Sequence, residues 1–237
     1  MQKGQITEIK FVRIETDSRI RKSELIATES ILELVVDGKH ETSFSYSIGF
    51  EEQLVCGYLL TSGIIKNQNE IEDMKFVGTT CNVSISSKVC INQEDPSTRL
   101  PTVSFSQIQE ARENLLKNQQ HHKATRGFHG VILYELPSRQ WFVCEDIGRH
   151  NAVDKAIGYC YQKGYSLSNS LLLISGRLTA DIVQKGVNVG IPIIASITVA
   201  TDKGIEIAID SKTTLIGSLS ERDCWLYHEG TTKVEII

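Results

Sequence analysis

Apolar residues at Ile6, Ile9, Phe11, Val12 and Ile14, and again at Ile31, Leu32, Leu34, Val35 and Val36, mark strands over 5–14 and 31–36. Asp37-Gly38 then predicts a hairpin turn into 40–48. Over 51–62 the apolar positions Leu54, Val55, Tyr58 and Leu59 follow helical spacing, with Gly63 as the cap. Residues 75–91 alternate, with Cys81, Val83 and Ile85 on one face and Asn82, Ser84 and Ser86 on the other, before a turn-rich loop over 92–97. Ser104 and Gln107 form a capping-box pair that opens a helix burying Phe105, Ile108, Ala111 and Leu115. A polar, basic connector over 119–126, with His121 and His122 read as exposed, leads to Gly127-Phe128-His129-Gly130.

The second half switches between periods of two and 3.6. Strands are predicted at 130–136, 140–144, 171–174, 191–198 and 214–219, and helices from Asn151 to about Gln162, over 179–188 and over 202–210. Strands alternating with helices predict an α/β fold: a mixed sheet with helices on both faces. The expected division is an N-terminal β-rich portion with one helix (1–104) and a C-terminal α/β domain carrying the ligand site (105–237), which can also form one continuous unit.

Composition narrows the partners. The 237 residues are 41% apolar and 23% charged with net charge −4, and no Lys/Arg stripe appears, which argues against sequence-independent nucleic-acid binding. No secretory leader is seen, and the weakly polar stretch 191–200 is too short to span a bilayer and contains Pro192, so a cytoplasmic protein without a membrane role is expected. The six cysteines are scattered, without a Cys-x-x-Cys pair or a zinc-like spacing, so reduced thiols and no zinc are expected.

The run Glu145-Asp146-Ile147-Gly148-Arg149-His150-Asn151-Ala152-Val153-Asp154-Lys155 interleaves acids, bases, a glycine and an imidazole at a helix start. Free backbone N–H groups, a fixed cation and a titratable ring together suit phosphate or another anion. Ligands of open α/β sheets bind beyond the carboxyl ends of strands. Three polar segments fall at such ends: 145–151, Ser175-Gly176-Arg177, and 198–203. Gly176 admits close approach of a ligand, and Arg149 and Arg177 can each grip an oxyanion bidentately. The competing reading pairs these arginines with Asp146, Asp154 or Asp181 as plain ion pairs. Asp154, four residues after His150, can orient that imidazole; Asn151 can cap the helix; His129 enters the same sheet as a ligand residue or a structural one. Cys56, Cys81, Cys144 and Cys160 fall at core positions, whereas Cys90, ending its strand beside Lys88, is the better nucleophile and Cys224 a weaker one. P-loop, Rossmann and nucleophile-elbow motifs are absent.

The 145–155 run resembles the hallmark motif of the formate dehydrogenase accessory protein family, FdhD. Gly57-Tyr58-Leu59-Leu60-Thr61-Ser62-Gly63-Ile64-Ile65, Gly127-Phe128-His129, Leu173-Ile174-Ser175-Gly176-Arg177, Val183-Gln184-Lys185 and Gly190-Ile191-Pro192 agree in order. The resemblance implies a cytidine deaminase-like fold without zinc, and a homodimer. It implies a sulfurtransferase that takes persulfide sulfur from a cysteine desulfurase. The sulfur passes to the molybdenum or tungsten bis-molybdopterin guanine dinucleotide cofactor of the formate dehydrogenase apoenzyme, with a GDP-like guanine nucleotide as surrogate ligand. Carried onto this chain, it makes Cys90 the sulfur-bearing residue. His129, Asp146, Gly148, Arg149, His150, Asn151, Asp154, Ser175, Gly176, Arg177, Leu219 and Arg222 become the cofactor-binding set. Three departures stand out. The interval 86–104, where the family has a Cys-x-x-Cys loop, holds only Cys90; Arg126 replaces a usual glycine; and 218–223 keeps one arginine of a Gly/Arg-rich stretch. The alternative is a non-catalytic module that binds guanine nucleotide or cofactor. A deaminase, suggested by fold analogy alone, lacks zinc ligands here.

Overall fold

The computed structural model describes residues 4–86 and 102–236. The first two strands, β1 (Ile6–Ile14) and β2 (Arg19–Ala27), form an antiparallel hairpin that joins no other sheet. Next, β3 (Ser30–Val36), β4 (Lys39–Tyr46), β5 (Ile71–Val77) and β6 (Thr80–Ile85) make a four-stranded sheet in the order β4-β3-β6-β5. Helix α1 (Glu51–Thr61) covers one face, packing Leu54, Val55, Leu59 and Leu60 on Leu32, Leu34, Phe44 and Val83. Asp37 and Gly38 both take positive φ, 48° and 76°, as the two-residue turn between β3 and β4 requires.

Two expectations about this half are corrected. The stretch read as one strand over 75–91 is a hairpin, because Gly78 at φ 61° reverses the chain and pairs Phe76 with Cys81; its residues 87–91 lie outside the described residues. Strand β2 had no period-two signature because its side chains are almost all exposed, so charged and apolar residues mix on both sides.

The six-stranded sheet follows. Strand β7 (Thr102–Ser104) leads into α2 (Phe105–Asn118), whose capping box forms: Gln107 N donates to Ser104 Oγ (3.2 Å) and Ser104 N to Gln107 Oε1 (3.1 Å). The connector over 119–126 contains a short helix, α3 (Gln120–Thr125), too polar to show an apolar stripe. Then come β8 (His129–Glu135), β9 (Trp141–Asp146), α4 (Arg149–Gln162), β10 (Ser170–Ile174), α5 (Ala180–Asn188), β11 (Ile193–Ser196), α6 (Asp202–Ser211) and β12 (Thr214–Gly217). Two short strands without a sequence signature, β13 (Trp225–His228) and β14 (Lys233–Glu235), close the chain, β14 beside β7.

The sheet order is β13-β12-β11-β10-β8-β9, with β10, β11 and β12 parallel and the others antiparallel. Its strands are apolar on both faces, as expected when both are covered. Ala152, Val153, Ala156 and Ile157 of α4, Ile182 of α5 and Ala208 of α6 bury one face, and Ile108, Ala111 and Leu115 of α2 the other. This is the mixed α/β architecture expected from the sequence.

The two sheets are joined by α1 crossing α4. A Cβ at Gly57 would sit 1.9 Å from the Asp154 carbonyl oxygen, and one at Gly158 2.1 Å from that of Gln53, so the two backbones touch. Among the described residues, no helix is long and apolar enough to cross a membrane.

Candidate functional site

One edge of the six-stranded sheet gathers the polar segments. Strand β9 ends at Asp146 opposite His129, which starts β8; β10 ends at Ile174 beside Val131 and runs on into Ser175-Gly176-Arg177; β11 ends at Ser196. Register therefore places His129, the 145–151 segment and 175–177 side by side. A Cβ built on Gly176 would lie 3.4 Å from Arg149 Cδ and 3.6 Å from His129 Nδ1, so these three residues form one cluster.

The 145–155 run divides into a buried strut and an outward-facing part. Asp146 is fully buried and accepts from Ser47 N (3.1 Å), Ser47 Oγ (3.0 Å), Gly148 N (2.8 Å) and Asn151 Nδ2 (3.1 Å), while pairing with Lys155 Nζ at 2.6 Å. Lys155, also fully buried, donates to the Ser47 carbonyl at 2.6 Å. Every acceptor direction of the Asp146 carboxylate is thus used inside the protein, and Asp146 shapes the loop rather than meeting a ligand. Asn151 does not cap α4: the N-cap is Gly148, and the Asn151 amide is buried, donating also to Ser45 O at 2.7 Å. Gly148 is required there, since a Cβ would come within 2.8 Å of Asn151 Nδ2.

Asp154 does not orient His150. Its buried carboxylate accepts from Thr61 Oγ1 at 2.6 Å and pairs with Lys185 Nζ at 2.8 Å, because its turn of α4 faces α1 and α5. Burial raises its pKa, against the lowering influence of Lys185. His150 instead points its Nε2 toward Asp181 Oδ2 at 4.0 Å.

What remains outward is cationic. Neither Arg149 nor Arg177 enters an ion pair among the described residues, so the plain ion-pair reading of the two arginines fails; Arg149 Nε is buried without a hydrogen-bond partner, and Arg177 is exposed. Burial lowers the pKa of both His129 and His150, and the neighbouring Arg149 lowers it further. Ser175 is tied into the sheet, accepting from Gly130 N at 2.9 Å through Oγ and donating its own N–H to Gly130 O at 2.8 Å. Leu219 packs in the core beneath α2 and offers no side chain to a ligand, whereas Arg222 is exposed in the loop before β13.

A cleft of about 510 Å³ opens beside this cluster, with His129 and Ser175 on one wall and His122, Lys123, Arg126 and Phe128 on the other; among the described residues no acidic side chain lines it. The second wall was missed by sequence reasoning, although His122, Lys123 and Arg126 within five residues were its signal. His121 is not exposed as expected: its Nδ1 lies 3.0 Å from Glu145 Oε2, and Glu145 also accepts from the backbone N–H groups of His121 (2.9 Å) and His122 (2.7 Å). Glu145 thereby pins the start of α3 to β9. Arg126 adopts φ 58°, a left-handed conformation that glycine takes freely.

Thiol chemistry is confined. Burial raises the pKa of Cys56 and Cys81 to about 11 and of Cys144 to about 12, and it raises those of Cys160 and Cys224 as well, so none of the five is a thiolate at neutral pH. Cys90 lies outside the described residues.

Fold and site together define an α/β protein with a cationic cleft at the strand ends of a mixed sheet. Comparison with known proteins gives the lineage: residues 75–233 match the FdhD/NarQ family, and the chain belongs to it. It is 30% identical to the sulfur carrier protein FdhD of Sulfolobus acidocaldarius, covering 90% of this chain and 92% of that one. It is 27% identical to the protein FdhD of Methanocaldococcus jannaschii, covering 90% and 92%. A crystal structure of a protein from Desulfotalea psychrophila, assigned as a formate dehydrogenase accessory protein, superposes with a TM-score of 0.81 at 26% identity, covering 94% of this chain and 97% of that one.

Proposed function

We propose that this protein is a sulfur carrier serving formate dehydrogenase. It accepts persulfide sulfur from a cysteine desulfurase on Cys90 and delivers it to the molybdenum or tungsten bis-molybdopterin guanine dinucleotide destined for the apoenzyme. It works in the cytoplasm as a pair of identical chains. The observation that carries the reading is the cleft whose walls bring His122, Lys123, Arg126 and His129 together beside Arg149, with no acidic side chain in its lining and no ion pair at Arg149 among the described residues. A guanine dinucleotide carries pyrophosphate, and guanidinium forks with backbone N–H groups at a helix start are the groups that grip it.

The residues divide the work. Arg149 and Arg177 bind phosphate oxygens, His129 and His150 gain a proton as negative charge arrives, and Asp146, Asn151 and Lys155 hold the loop that aims them. Sulfur acceptance is an exchange: the Cys90 thiolate attacks the outer sulfur of the donor persulfide, the donor S–S bond breaks, and the donor leaves as a thiolate. No electrons are gained or lost. Burial of Cys56, Cys81, Cys144 and Cys160, with raised pKa values, disfavours them as carriers. The test is mass spectrometry after incubation with a cysteine desulfurase and cysteine. One sulfur atom added to the Cys90 peptide, and lost in Cys90→Ser, is expected; no sulfur on any cysteine would refute the carrier role.

A second reading is favoured by the single cysteine in 86–104: the same pocket holds guanine nucleotide or cofactor without moving sulfur. Both readings expect calorimetric binding of GDP that Arg177→Ala weakens and Cys90→Ser leaves intact. Only the first expects a persulfide.

A further inference from the structure

The β1–β2 hairpin is an anomaly for a chain acting alone. Isolated two-stranded ribbons are marginally stable in water, and this one joins no other sheet and is covered only where β2 meets α3. On one face Val12 (52% exposed), Ile14 (72%) and Leu25 stand bare; on the other Ile9, Ile20 and Ile26 do. The outer half of the ribbon carries a basic excess, Lys10, Arg13, Arg19, Arg21 and Lys22 against Glu15 and Asp17, with Arg13 paired to Glu15 at 3.2 Å.

A groove of about 620 Å³ lies at the open end of the four-stranded sheet, beside the start of α1. Its apolar floor includes Ile31 (57% exposed), Ile48 and Phe76, and among the described residues its charged lining consists of Glu51 and Glu52, with no lysine, arginine or histidine. Apolar surface rimmed by acid matches an arm that is apolar and basic. Arm and groove also begin at the same place. Gln5 Nε2 donates to the Ile48 carbonyl at 2.5 Å, and Ile48 is itself a groove residue.

From this geometry we infer that the hairpin of one copy lies in the Glu51–Glu52 groove of a second copy. A two-fold axis passing near Ile48 satisfies both contacts at once and closes the assembly as a dimer rather than an open chain. The inference rests on the pairing of identical chains proposed above and specifies the surface. The arm lies along α3, whose His122 and Lys123 line the anion cleft, so pairing also orders that wall.

The experiment uses the full chain with two charge reversals, Arg21→Glu on the arm and Glu52→Lys in the groove, read by analytical ultracentrifugation. Each variant alone is expected to raise the dimer dissociation constant by about tenfold or more, since like charges now face each other in both contacts. An equimolar mixture is expected to re-associate. In the mixed dimer the reversed arm meets the reversed groove, and the natural arm meets the natural groove. A monomeric parent protein would overturn the inference together with the pairing. A dimer indifferent to both reversals, or a mixture that stays dissociated, would overturn the arm–groove contact and leave the pairing standing. Circular dichroism of each variant confirms that it is folded, and recovery in the mixture is a result that misfolding cannot produce.

Discussion

Replacing Lys155 with methionine tests the buried strut beneath the site. Methionine keeps most of the side-chain volume, so the cavity contribution is small and the loss is electrostatic. Lys155 Nζ makes two 2.6 Å contacts, one to Asp146 Oδ2 and one to Ser47 O, in a place with no water access. Removing one partner of a buried ion pair costs about 3–5 kcal/mol, because the other charge is stranded. Stranding the Ser47 carbonyl adds about 1 kcal/mol, while the four donors that Asp146 keeps reduce the penalty. The expected loss is about 4 kcal/mol, a large share of a typical total of about 5–15 kcal/mol. At about 2–4 °C per kcal/mol for a chain of this size, the melting temperature falls by about 8–16 °C. Urea unfolding monitored by circular dichroism measures it. Adding Asp146→Asn to Lys155→Met removes the stranded charge and is expected to recover about 1–2 kcal/mol. If Lys155→Met lies within about 1 kcal/mol of the parent, or if the double variant is less stable than the single one, the strut assignment is wrong.

Three further outcomes are expected. Arg126→Gly relieves a left-handed residue and raises stability by about 1 kcal/mol, yet weakens GDP binding because a cleft cation is lost; calorimetry and thermal melting read the two effects separately. GDP affinity rises as pH falls from 7.5 towards 6, since a bound anion favours the protonated forms of His129 and His150; for the free protein the sign is opposite. Their folded pKa values lie below the unfolded one, so the unfolded chain takes up more protons and stability declines as pH drops below about 6.5. Parallel titrations of affinity and of melting temperature should therefore slope in opposite directions, and slopes of the same sign would exclude these histidines from the site. Gly57→Ala or Gly158→Ala drives a methyl group into facing backbone and is expected to cost about 3 kcal/mol or more, whereas Gly63→Ala at the open end of α1 strains only its own positive φ.

How much of this was legible in the sequence depended on whether a signal was local. The β3–β4 turn, the Ser104–Gln107 capping box and the central strands declared themselves because turn chemistry, caps and uninterrupted apolar runs are short-range. The β2 strand, the α3 helix and β13 did not, because their side chains are largely open to solvent and no periodicity is imposed on them. That the 145–151 and 175–177 segments lie side by side was legible from their position after strands. The roles inside the 145–155 run were not. That Asp146 and Lys155 turn inward while Arg149 stays outward depends on Ser47, 99 positions before Asp146, and no periodicity reports a partner so distant. Asp154 pairing with Lys185 instead of His150 has the same origin, since α5 arrives from later in the chain.

Those long separations also set a timetable. The bonds that hold the 145–151 loop join positions 99, 106 and 108 apart, and Thr61 reaches Asp154 across 93. Contacts this distant form late, after the loops between them have closed. A chain still emerging from the ribosome can complete the β3–β6 sheet and α1, yet it has no working loop until α4 has been synthesised and docked on Gly57. Assembly of the 145–151 loop is therefore a late event in the life of each molecule. A ligand captured by the loop would slow global unfolding rather than local fraying, and hydrogen exchange of α4 amides with and without GDP would display that coupling.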